Sequence, residues 1–265
     1  MRRTLSRIGS IGALLVTFGA APLAPSPGGI GLAVAPGKID LTVRPGAIAN
    51  IPVTVRNDAT LPAHIVLSIA DFAIGDDGTY RYDAPGVKPM SLASWIAVRP
   101  REFDLPAQSF QQVQVSLLVP EGELSGEYAG VLLVQTRPSR ERGSMAFSAR
   151  FAAKVYATIT GTARRDGRVD SVAADPDGAG NERYRIAFHN TGNTHLYLNG
   201  HVEIRRSGEI VQTLALPKNV LVERGGERHV QVTGARLAPA VYDIVAVIDY
   251  GGDQRTGGRI HFDAR

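Results

Sequence analysis

The chain has 265 residues, 44% of them hydrophobic and 20% charged, with 29 Gly, 16 Pro and no Cys. That balance excludes a disordered chain, and the lack of cysteine excludes disulfides and thiol chemistry. Arg2, Arg3 and Arg7 supply most of the formal net charge of +4. The remainder is close to neutral, without the clustered positive charge a nucleic-acid partner requires.

Those arginines precede an apolar run at 8–24, IGSIGALLVTFGAAPLA, with small residues at its end and PSPGG beyond it. A basic start, a short apolar segment and a small-residue exit predict a secretory signal peptide over 1–26, cut between Ala20 and Ser26. Its glycines and Pro22 keep it short of the roughly 20 apolar residues that a spanning helix needs. No later run is long enough to cross a bilayer. The mature protein is therefore expected to be periplasmic or secreted, with no integral membrane segment.

Beyond the leader the pattern is strand-like. Ile39, Leu41 and Val43 alternate with Lys38, Asp40, Thr42 and Arg44 before Pro45-Gly46 turns the chain. Ile51, Val53 and Val55 repeat the alternation before Asn57-Asp58. Period two bounded by Gly, Pro and Asn predicts half-buried antiparallel strands. Further strands follow at 64–72, 94–100, 111–120, 126–136 and 144–161. In the last of these Met145, Phe147, Ala149, Phe151, Ala153, Val155, Ala157 and Ile159 all share one face. Alternation lapses and charge rises in TARRDGR, 162–168, which reads as a linker. Strands then resume to the C-terminus.

No stretch of ten residues shows helical periodicity. The expected fold is all-β, with two immunoglobulin-like β-sandwich domains in tandem at 30–161 and 169–265. Trp95, the single tryptophan, is expected to plug the first core.

The segment HNTGNTHLYLNGHVEI, 189–204, holds three histidines. Leu196, Leu198 and Val202 share the inward parity, which places His195 and His201 on a wet outer face. Six residues separate those two, about 20 Å along a strand, too far to ligate one ion. His189 has no carboxylate in sequence to complete a site, so no metal is expected. Asp175 and Asp177 open a stretch like a calcium loop, but the later offsets hold Ala179 and Ile186, so a hairpin turn is the expectation. There is no G-x-S-x-G elbow, H-E-x-x-H or P-loop. No catalytic residue and no cofactor are expected, and the chain is not read as an enzyme.

Residues 31–46, 94–120 and 126–136 resemble the N-terminal domain of PapD-like periplasmic pilus-assembly chaperones. They are as similar to the WxL-interacting proteins of Gram-positive surfaces. Residues 184–204, 219–232 and 241–252 resemble the C-terminal domains of the same group. The chaperone resemblance implies a basic pair, Lys38 and Lys154, that grips a client's C-terminal carboxylate. It also implies a strand-donating face at Met145, Phe147, Ala149 and Phe151, on a bare rim spanning 144–160. The implied partner is a surface or pilus subunit protein. The WxL resemblance implies instead a cell-wall or surface-protein binder.

Overall fold

The computed structural model describes residues 31–137 and 148–265, and every regular element among them is a β-strand. No helix among them is long and apolar enough to cross a membrane. The leader expected at 1–26 lies outside the described residues.

The first domain comprises β1 (Leu32–Ala35), β2 (Lys38–Val43), β3 (Ile48–Asn57), β4 (Ala63–Ile74), β5 (Tyr80–Asp83), β6 (Ile96–Arg99), β7 (Glu102–Leu105), β8 (Ser109–Leu118), β9 (Glu127–Thr136) and β10 (Arg150–Ile159). They form two sheets, ordered β1-β3-β8-β6 and β2-β10-β9-β4-β5, with β7 also paired to β4. The apolar parity of each strand points between the sheets: Val53, Val55, Val113, Val115 and Leu117 from one, Ile65, Leu132, Val134, Val155 and Ala157 from the other. Trp95 is buried in this core, its ring 4.3 Å from that of Tyr128.

The second domain comprises β11 (Gly167–Pro176), β12 (Asn181–Asn190), β13 (Leu196–Arg206), β14 (Glu209–Ala215), β15 (Val220–Val222), β16 (Glu227–Ala235), β17 (Ala240–Asp249) and β18 (Thr256–Ala264). Its sheets run β11-β12-β16 and β14-β13-β17-β18, with β15 paired to β13. Tyr184, Ile186 and Phe188 pack against Val202, Ile204, Ile244 and Ala246 between them. At the β11–β12 turn, Asp177 Oδ1 accepts the amide hydrogens of Ala179 at 2.7 Å and Asn181 at 3.0 Å. Asp175 pairs with Arg183 and Arg185. The carboxylates of the calcium-like stretch therefore build and brace a hairpin.

Two strand expectations change. The strand expected from residue 144 begins at Arg150, and Met145 and Phe147 lie outside the described residues. The bare rim is also shorter than expected, because β2 pairs with β10 in parallel from Lys38↔Lys154 to Val43↔Ile159. The chain leaves β1, which belongs to the opposite sheet, and crosses at Pro36-Gly37 to cover that edge. Alternation shows which face of β2 is buried but not which sheet it joins.

Candidate interdomain binding cleft

The outer face of the first domain's larger sheet is not wet. Ala70, Phe72, Val131, Leu133 and Tyr156 form a third apolar cluster with Leu221 of β15, flanked by Ile74, Ala129, Ala152 and Tyr197. Strand β9 is consequently buried on both faces through Val131–Val134. This is the contact between the domains.

Polar groups close around it. Glu127, only 4% exposed, accepts the His195 amide hydrogen at Oε1, 2.9 Å away, while Oε2 lies 2.7 Å from His195 Nδ1 and 3.3 Å from Thr158 Oγ1. The Glu127 amide donates in turn to the Asn193 carbonyl at 2.9 Å. Glu223 accepts from the Ile74 amide at 2.7 Å and lies 3.6 Å from Lys88 Nζ. Burial pushes the Glu223 carboxyl above its ordinary value despite those two partners. Burial likewise raises the Tyr156 hydroxyl far above the usual phenol, and that hydroxyl has no hydrogen-bond partner among the described residues.

His195 thus corrects an expectation. Directly before β13, its parity is outward from the second core, as the alternation requires, but the first domain covers that face. The imidazole lies 4.2 Å from the Tyr156 ring and 5.5 Å from that of Tyr197. His201 fits the expected placement more closely: partly exposed, it lies 3.1 Å from Glu203.

The two lysines singled out above come together. They are direct partners in the parallel register, and both line a cavity of about 570 Å³ with Tyr80, Tyr197, Asn219 and Leu221. Lys154 Nζ donates to the Tyr80 hydroxyl at 3.1 Å. Lys38 Nζ lies 2.6 Å from Asp40 Oδ2 and 4.7 Å from the Tyr197 ring centre. Burial would lower the Lys38 pKa, but its contacts with Asp40 and Tyr197 outweigh this and hold it above the usual lysine value. Both domains supply walls, and no carboxylate is among the lining residues.

The strand-donating face is placed differently. Ala149 is buried and Phe151 half-buried against the first core. Among the described residues no strand pairs with the far edge of β10 ahead of Lys154, where β2 begins its pairing, while Arg150–Ala153 pair with β9 on the other side. A second cavity of about 500 Å³ lies at the domain junction, lined by Phe72, Met90, Tyr156, Glu127, Glu223 and Arg224 among others. The sequence reading missed it, although the unbroken apolar run Val131–Val134 signals a strand covered on both faces.

No protein-family model matches the chain, and no curated protein does. Among solved structures, it is similar to the class 5 fimbriae chaperone CfaA, at 12% identity and a TM-score of 0.48, over 87% of this chain and 98% of that one. It is also similar to the Escherichia coli chaperone DraB, at 14% identity and a TM-score of 0.45, over 88% and 97% of the two chains. A third, the Pseudomonas aeruginosa CupB2 chaperone, is 14% identical with a TM-score of 0.44, over 88% and 100%.

Proposed function

We propose that this protein is an extracytoplasmic, chaperone-like binder of a surface or pilus subunit. It holds the client's C-terminal carboxylate between Lys38 and Lys154 and pairs the adjoining extended segment with the open edge of β10. The observation that carries this reading is the convergence of two ammonium groups, from adjacent parallel strands, on one cavity without a lining carboxylate. A client carboxylate there would compete with Asp40 for Lys38 and take up Lys154 as well, each charge-assisted hydrogen bond contributing about 1.5–3 kcal/mol. Directly N-terminal to Lys154 no described strand pairs with the other edge of β10 at Arg150–Ala152, and a guest strand would enter there beside the half-buried Phe151. Main-chain pairing then gives affinity, and the carboxylate clamp fixes register.

The test uses synthetic peptides of alternating apolar residues, each made as the free C-terminal acid and as the amide. The acids are expected to bind more tightly by about tenfold or more. Lys38→Ala with Lys154→Ala should erase that difference while leaving the thermal unfolding midpoint nearly unchanged. Equal binding of acid and amide by the unaltered protein would remove the clamp.

A further inference from the structure

We propose that the outer face of the β11-β12-β16 sheet is a site for a divalent transition metal, held by Asp170, His189 and Glu227. One ligand atom from each lies within 4.8 Å of the others, although the three come from three different strands. The sheet explains how. His189 and Glu227 are direct cross-strand partners of β12 and β16, so their side chains stand side by side on the same face. Asp170 arrives through a β-bulge. Val169 pairs with Phe188 and Ser171 with Ala187, leaving Asp170 as the extra residue. A bulge re-aims the side chain it carries, and here Asp170 Oδ2 comes to 3.8 Å from His189 Nδ1. The carboxylates that His189 lacks in sequence are thus supplied by its two neighbouring strands.

The donor set selects the ion. One imidazole and two carboxylates suit zinc and its neighbours, whereas calcium needs six to eight oxygens. A tetrahedral zinc holds its ligand atoms roughly 3.4 Å apart. Rotation of these solvent-facing side chains closes the existing spacing to that value, with water at the fourth position. The site already attracts a cation. Arg168, the register partner of His189, places Nε 2.5 Å from Asp170 Oδ1 and Nη2 3.3 Å from His189 Nδ1. Its guanidinium must swing aside for a metal to enter, which makes Arg168 a competitor rather than a ligand.

That competition gives the test an unusual sign. Calorimetric titration of the metal-free protein with zinc chloride is expected to show one ion bound per chain. Loss of an orienting partner around a metal costs 10–100-fold in affinity, so loss of a ligand in His189→Ala should weaken binding by at least about tenfold. Arg168→Ala should tighten it. His261→Ala, which removes an exposed histidine paired with Asp243 elsewhere on this domain, should leave it unchanged. Absence of zinc binding, binding that survives His189→Ala, or binding that Arg168→Ala fails to strengthen would overturn the proposal.

Discussion

Replacing Glu127 by alanine is expected to lower the free energy of unfolding by about 1–3 kcal/mol, the range for leaving buried hydrogen-bonding groups without their partner. Both carboxylate oxygens reach across the domain junction to His195, Oε1 to its amide and Oε2 to its imidazole, while Oε2 also meets Thr158 on the neighbouring strand of its own domain. Alanine would leave the His195 amide and ring without those partners beside Tyr156. The cost falls on the junction rather than on either sandwich, because Glu127 belongs to the first domain and the His195 groups it holds belong to the second. Urea unfolding followed by tryptophan fluorescence, which reports Trp95 in the first core, should therefore separate from the circular dichroism signal of the whole chain. Coincident transitions with unchanged midpoint would show that the junction is held without Glu127, by the Phe72–Tyr156–Leu221 cluster and the contacts of Glu223 with Ile74 and Lys88. Glu127→Gln should cost less, since its amide oxygen still accepts one of the two His195 hydrogen bonds.

That junction was the part of the molecule least legible in the sequence. The sandwiches themselves were readable: period-two alternation in Ile39, Leu41, Val43 and in Ile51, Val53, Val55 places side chains by parity alone, and the structure keeps that parity. Parity, however, distinguishes two faces of a strand without saying what covers the second. His195 and Tyr156 both point away from their own cores, and in a single domain both would meet water. Only the docking of β13 and β15 onto the outer face of β9 and β10 buries them. One local clue exists, since Val131-Leu132-Leu133-Val134 has no polar member and must be covered on both sides. The lysine cavity shows the same limit. Lys38 and Lys154 are 116 residues apart in sequence, and their meeting depends on β2 joining the edge of β10 in parallel, a choice of sheet that alternation does not encode. The Asp170 bulge is likewise invisible, because a one-residue slip in pairing leaves no mark on composition.

Within the second domain, Phe188→Ala is expected to cost about 3–5 kcal/mol. The side chain is 1% exposed and sits between the sheets, its ring 5.9 Å from that of Tyr250. The neighbourhood offers a sharper measurement than the single loss. Gly167, at the start of β11, approaches Phe188 so closely that a Cβ placed there would overlap the ring at Cζ. Gly167→Ala alone should therefore overpack the site and cost about 1–3 kcal/mol. With the ring gone, the same methyl enters the space the ring vacated and restores part of the lost contact. The double variant should then be more stable than the sum of the two losses predicts, by about 0.5–3 kcal/mol of coupling. Denaturant melts of the four proteins give that quantity directly. Additive losses would mean that β11 moves away from β12 to admit the methyl. In that case Gly167 is a turn residue at the entry to the domain rather than a seat for the Phe188 ring.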